Sequence, residues 1–337
     1  MIRLSPVAVC LVAAGVAHAD HLVDRTHKAM GTELRITVWG EDDAKMVEGI
    51  DAAFAEFDRL ERLMTTWTED SELTKINQAA GNGQPISVSE ETMTVLEKSR
   101  ELSRLTGGAF DITVGSFWGL WKFDQDRDGS LPARADVLAR KRLVDWRDVI
   151  LDAKNRTARL RRAGQRITLG GIAKGYAVDR AVALLRARGF VDFIVQGGGD
   201  MFVAGRRGDR RWRVGIRDPR GGPTDFFAMA EVEDATFSTS GDYERYVLAP
   251  DRRYHHILDP RTGYPATASR SVTVMGPDAF TSDGISKALF ILGPKKAMPL
   301  VDKLGLGVVW VTGDNRIVVS KKLEGKLHIL KQPTDGI

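Results

Sequence analysis

The chain has 337 residues, of which 43% are hydrophobic and 28% charged, and a formal charge of +4. That is ordinary globular composition, enough for one large domain or two modest ones, and it excludes collagen-like, low-complexity and disordered chains. The positive excess is too small to support a nucleic-acid partner, and with Cys10 as the single cysteine there is no disulfide framework.

Residues 1–19 read as a cleaved secretory signal peptide. Arg3 gives a positive start, 7–17 is almost continuously apolar, and Ala17-His18-Ala19 is a small-x-small cleavage site before Asp20. The apolar run is too short to span a bilayer comfortably. Cleavage removes Arg3 and Cys10, leaving a charge of about +3 and no cysteine chemistry. The expectation is a soluble exported protein, periplasmic in a Gram-negative source, with one domain over 20–337.

From 42 to 64 the pattern is helical, with Met46, Ile50, Phe54, Phe57, Leu60 and Met64 on one face. Ser89 is a good N-cap for a second helix, lined by Met93, Leu96, Leu102 and Leu105 and ended by Gly107-Gly108. A third helix is expected over 173–188, closed by Gly189, and a fourth over 278–292, stopped by Gly293-Pro294. Strands are expected near 33–38, 166–169, 193–196, 212–216, 227–232, 271–274, 308–311 and 317–319. Helices and strands do not alternate strictly, which predicts α+β layers rather than a doubly wound parallel sheet. No Pro/Gly/Ser-rich linker breaks the chain, so one compact catalytic unit is expected from about 22 to about 331.

The segment 169–179 (Leu-Gly-Gly-Ile-Ala-Lys-Gly-Tyr-Ala-Val-Asp) reads as a strand end, a glycine turn and a helix. Glycines permit close backbone approach, and the N–H groups opening a helix favour anions. Lys174 opposes the helix dipole unless an anion such as a phosphate sits beside it, which points to a nucleotide-type ligand. Glycine turns before helices that bind nothing are the competing reading. Segment 255–265 holds His255 and His256 directly before an Asp-Pro-Arg-Thr-Gly turn. His256, near Asp259 or Asp283, could act as a general base, the alternative being a surface hairpin with incidental histidines. Trp67 in the polar loop 64–77 could stack a flavin or purine ring or simply pack. Segment 106–113 is a helix end turning into Phe-Asp, and 196–200 (Gln-Gly-Gly-Gly-Asp) is a tight turn after a strand. The run 124–129 resembles the start of a calcium loop, but Ala135 stands where its bidentate Glu belongs. There is no zinc spacing, Walker lysine loop or Gly-x-Ser-x-Gly elbow.

Taken in order, Met30-Gly31-Thr32, 64–77, 106–114, 169–179, Gly198-Gly199-Asp200, 238–243 (Ser-Thr-Ser-Gly-Asp-Tyr), 256–265 and 282–293 resemble the FAD:protein FMN transferase (ApbE-like) family. The match spans nearly all of the chain after the leader. It implies an exported flavin enzyme with one mixed α/β domain. Such an enzyme binds FAD with magnesium, moves the FMN half onto a Thr/Ser hydroxyl of a partner, commonly a membrane-associated redox subunit, and releases AMP. Residue by residue, it implies that Met30, Trp67, Ala109, Phe110, Asp111, Thr168, Lys174 and Ile257 line the FAD site. Magnesium would be held by the Gly171 carbonyl, Asp283 and Ser286. His256 and Asp283 would be catalytic, His256 deprotonating the acceptor hydroxyl.

The chain departs from the family's pattern at its metal helix, which usually reads Ala-Asp-Ala-x-Asp/Ser-Thr and here reads Ser282-Asp283-Gly284-Ile285-Ser286-Lys287. The threonine position holds Lys287, which cannot ligate a metal while protonated, and Thr168 stands where an aspartate is usual. Three readings stand at this stage: Lys287 points away and magnesium binds; its ammonium takes the metal's place; or the register slips by a turn and Lys287 is exposed. Two rival functions stand as well, an FAD pyrophosphatase giving FMN and AMP, and a non-catalytic FAD-binding assembly factor.

Overall fold

The computed structural model describes residues 20–123 and 126–336. The signal-peptide segment lies outside the described residues, as do Asp124 and Gln125 at the head of the calcium-loop-like run. The rest of that run is exposed, with Asp128 ion-paired to Lys122.

The helices are α1 (Asp43–Met64), α2 (Glu72–Gln78), α3 (Glu90–Leu105), α4 (Arg134–Lys141), α5 (Ala173–Ala187) and α6 (Ala279–Leu304). Side-chain caps start α1, α3 and α6, and α5 has none. Asp42 accepts from Lys45 N at 3.0 Å, Ser89 from Thr92 N at 3.2 Å and Asp278 from Thr281 N at 2.6 Å. Among the described residues no helix is long and apolar enough to cross a membrane.

The main sheet has eight strands in simple chain order: β1 (His21–Ala29), β2 (Thr32–Gly40), β3 (Phe193–Gly197), β4 (Asp200–Ala204), β5 (Ala235–Gly241), β6 (Ser269–Met275), β7 (Gly307–Thr312) and β8 (Ile317–Val319). Every neighbouring pair is antiparallel. Helices α1, α5 and α6 cover one face, and the small antiparallel sheet of Trp212–Arg217 and Phe226–Val232 covers the other. Strand β7 shows the layering directly. Val308 and Trp310 point into the helical layer, and Val309 and Val311 into the small sheet. A strand buried on both faces reads as a continuous apolar run, as Val308-Val309-Trp310-Val311 does. This is the α+β architecture expected.

Two local expectations differ from the structure. Residues 166–169 form no strand; their backbone is held by side chains and loops instead. Arg166 N donates to Ser116 Oγ, Ile167 N to Asn77 Oδ1 at 2.7 Å, and Thr168 N to Ile112 O. The last helix does not stop at Leu292. Gly293 takes φ 69°, breaking the helix, and Pro294 reopens it to Leu304 because a proline at a first helical position gives up no needed hydrogen bond.

Candidate active site

The N-terminal turns of α5 and α6 cross, and glycine makes the crossing possible. A Cβ on Gly175 would lie 2.3 Å from Ala279 O and 2.6 Å from Asp283 Cβ. In that contact Gly175 N donates to Asp283 Oδ2 at 2.9 Å. One turn further along α5, Asp179 accepts from Ala279 N and Phe280 N at 3.0 and 2.9 Å, so α5 itself caps α6. Asp283 is thereby fixed at the crossing with no exposed surface.

Four charged side chains converge there. Lys287, one turn after Asp283 on α6, ion-pairs with Asp283 Oδ1. Its stem packs on the glycine turn before α5, where a Cβ on Gly171 would lie 3.7 Å from Lys287 Cγ and 3.6 Å from Phe110 Cε2. Lys174 in the first turn of α5 donates to Gly170 O at 3.0 Å and lies 3.6 Å from Asp200 Oδ2. Asp200 opens β4 after the Gly198-Gly199 turn. It is 1% exposed, and its Oδ1 is buried without a hydrogen-bond partner. Burial and the Asp283 charge push the Asp200 carboxyl up, opposed by Lys287 and Lys174. Burial also opposes ionisation of Asp283, but Lys287 and Lys174 outweigh it and hold that carboxyl below its ordinary value. Lys287 keeps its proton despite burial because Asp283 and Asp200 face it.

The two adjacent histidines have different work. His255 is buried, donates from Nε2 to Ala266 O at 2.8 Å and accepts Ile257 N–H on Nδ1 at 3.2 Å, so both ring nitrogens are committed. His256 is half-buried and donates from Nδ1 to Arg245 O at 3.3 Å, which leaves the lone pair on Nε2. Asp259 does not assist it, being paired with Arg261. Burial, then the charges of Arg245, His255 and Lys174, push His256 well below its ordinary value, so the ring is neutral near pH 7 and able to accept a proton.

The remaining expected residues divide by exposure. Trp67 is 49% exposed and meets Trp118 edge-on, ring centroids 4.5 Å apart, with the Arg166 guanidinium 5.5 Å from the Trp118 ring. Thr168 is half-buried, its Oγ1 taking Gly170 N–H at 3.4 Å. Met30, at φ 53°, and Gly31 form the tip of the β1–β2 hairpin. Thr32 beside them lies against Gly198, in the turn that leads to Asp200. Ala109, Phe110 and Ile257 are buried. Asp111 caps the short helix Ile112–Phe117, accepting from Thr113 N, Thr113 Oγ1 and Trp146 N; burial pushes its carboxyl up to about 6. Asp200, Arg245 and Trp118 are the site residues to which the sequence reading gave no role. Only Gly-Gly-Asp at 198–200 carried a visible signal.

A divalent cation does not fit the donors as they stand. Asp283 Oδ1 carries the Lys287 ammonium, and the Ser286 hydroxyl is turned to Ser240 Oγ at 2.7 Å and to the Asp283 carbonyl at 2.8 Å. Among the described residues no three His, Cys, Asp or Glu gather as a metal cage.

Comparison with known families matches residues 30–310 to the ApbE family. The FAD:protein FMN transferase of Treponema pallidum (strain Nichols) is 32% identical, covering 91% of this chain and 89% of its own. That of Klebsiella pneumoniae (strain 342) is 33% identical, covering 84% and 82%. The crystal structure of the Thermotoga maritima ApbE protein superposes with a TM-score of 0.82 at 31% identity, over 91% of this chain and 99% of that one. The flavin transferase ApbE of Vibrio cholerae gives 0.80 at 26% identity, over 91% and 100%. With the family's residues covering most of the chain and its fold reproduced, this chain belongs to the ApbE family.

Proposed function

We propose that this protein is an exported FAD:protein FMN transferase that attaches FMN through a phosphoester to a Thr or Ser hydroxyl of a partner redox protein and releases AMP. The observation that carries the reading is the pairing of a neutral His256, its Nε2 lone pair unused, with the cations Lys174, Lys287 and Arg245 around the α5–α6 crossing. Cleaving a pyrophosphate needs its negative charge neutralised and the acceptor oxygen aligned. The lysines supply charge, and the turn 169–172 brings backbone close to the ligand because Gly170 and Gly171 carry no side chain. His256 takes the hydroxyl proton as the oxygen attacks the FMN phosphorus, a contribution of ~10²–10⁴-fold. The exposed pair Trp67 and Trp118 offers a surface on which a flavin or adenine ring stacks. The leader-like segment 1–19 supports export.

The test is mass spectrometry of an acceptor domain incubated with the protein and FAD. A gain of one FMN, about 440 Da less the water lost on ester formation, with AMP released, establishes the transferase. FMN and AMP appearing without a modified acceptor replaces it with the pyrophosphatase. Bound FAD without turnover, once a known transferase has modified the same acceptor, replaces it with the assembly factor.

A further inference from the structure

Lys287 is a departure from the family's pattern that brings a cation into the crossing. Its ammonium bonds a carboxylate with no exposed surface, Asp283, and faces a second, Asp200, whose Oδ1 has no hydrogen-bond partner. The stem is wedged on Gly171 beside Phe110, and the side chain is 17% exposed. Asp followed four residues later by Lys is the favourable order on a helix, so the pair is held by local geometry as well as by charge. The hydroxyl next to it, on Ser286, is engaged with Ser240. A positive charge is therefore built into the chain at the place where the resemblance puts a divalent ion, and the side-chain oxygens of Asp283 and Ser286 that would hold such an ion are already engaged.

We infer that the Lys287 ammonium, ion-paired to Asp283, is this protein's resident cation and binds the FAD pyrophosphate in place of a divalent metal ion. The inference rests on the transferase reading for its ligand. In the reaction the acceptor oxygen bonds to the FMN phosphorus while the bridging P–O bond to AMP breaks. The electron pair of that bond leaves on the AMP phosphate, the hydroxyl proton passes to His256 Nε2, and Lys287 keeps its own proton throughout. A lysine acts on phosphate as a point charge and needs no metal-binding equilibrium.

The test measures FAD affinity by flavin fluorescence for the wild-type protein, Lys287→Met and Lys287→Thr, each with magnesium and with EDTA. Thermal melting confirms that each variant is folded. Wild-type affinity should agree within about twofold between the two conditions, and Lys287→Met should bind about tenfold or more weakly in both. Lys287→Thr, which restores a neutral oxygen donor, should bind weakly in EDTA and recover with magnesium. Wild-type FAD affinity that rises about tenfold with magnesium, or Lys287→Met binding like the wild type, overturns the inference. FMN transfer is read in the same samples. Its absence throughout, with the affinity pattern intact, counts against the transferase while leaving the cation assignment standing.

Discussion

Replacing Gly175 by alanine tests whether the crossing of α5 and α6 is what builds the site. Two effects oppose each other. Alanine in a helix interior is favoured over glycine by about 1 kcal/mol. Against that, the new Cβ would sit 2.3 Å from Ala279 O, 2.8 Å from Ala279 C and 2.6 Å from Asp283 Cβ. An ordinary C···O contact is about 3.3 Å, so α6 must retreat by about 1 Å. The obstacle is backbone, which cannot rotate away, so the penalty falls at or above the upper end of the ~1–3 kcal/mol seen for overpacking. The net loss should be about 2 kcal/mol, which for a chain of this size lowers the melting temperature by about 3 °C. The same retreat stretches the Gly175 N–H bond to Asp283 and moves Lys287 away from Lys174, and a misplacement of about 1 Å is enough to lower transfer ~10²-fold.

Gly171 is the control. A Cβ there meets nothing closer than 3.6 Å, so Gly171→Ala should melt within about 1 °C of the wild type, as a change without a clash does. It should still weaken FAD binding, because the methyl group lines the surface the ligand approaches. Melting curves and FAD titrations on both variants decide the matter. If Gly175→Ala melts at or above the wild type, helix propensity has won and the account of the crossing is wrong.

Trp67→Ala should leave stability within ~0.5 kcal/mol, since the side chain is 49% exposed, yet weaken FAD binding by the ~1–3 kcal/mol of a lost stacking surface; unchanged affinity in a fluorescence titration would remove Trp67 from the site. Asp111 has a folded value near 6 against 3.8 unfolded, so its contribution is full below pH ~4 and is lost as pH rises to ~6, by roughly 3 kcal/mol. Urea denaturation across that window should show the wild type losing stability relative to Asp111→Asn; a relative gain would mean that the three donors at Asp111 outweigh burial. The bidentate pair of Arg220 and Asp242, at 2.7 and 2.8 Å with both side chains 8% exposed, anchors the turn after β5. Arg220→Met should destabilise by ~3–5 kcal/mol and adding Asp242→Asn should recover part of it, whereas an unshifted melting curve would show the pair contributing nothing.

Helical periodicity made α1 and α3 legible, the latter with its Ser89 cap, and flanking glycines delimited α5, because these signals are local. Strand β1 escaped notice: His21–Ala29 is a polar edge strand with no clean alternation, and its partner β2 is what defines it. The 166–169 segment looks like a strand because its apolar residues are buried, but its hydrogen bonds go to Asn77 and Ser116, ninety and fifty residues away in the chain. Within the site, His256, Asp283 and Lys174 stood out through their neighbours in sequence. Asp200 and Arg245 did not, since a lone carboxylate after a glycine turn and one arginine among many acquire meaning only when β4 and the hairpin segment 242–256 bring them beside α5 and α6.

The same geometry bears on whether the site has decayed. A carboxylate with no exposed surface and no cation beside it is expensive, by several kcal/mol, so it does not persist as an idle remnant. Asp283 persists because it does two things at once: one oxygen takes Gly175 N–H and locks the helices together, and the other holds Lys287. Lys287 in turn has a second carboxylate in front of it, Asp200, which Lys174 also approaches to 3.6 Å. The change at Lys287 is therefore a compensated one: its charge is matched by Asp283 and Asp200 at the helix crossing where the pyrophosphate is proposed to bind.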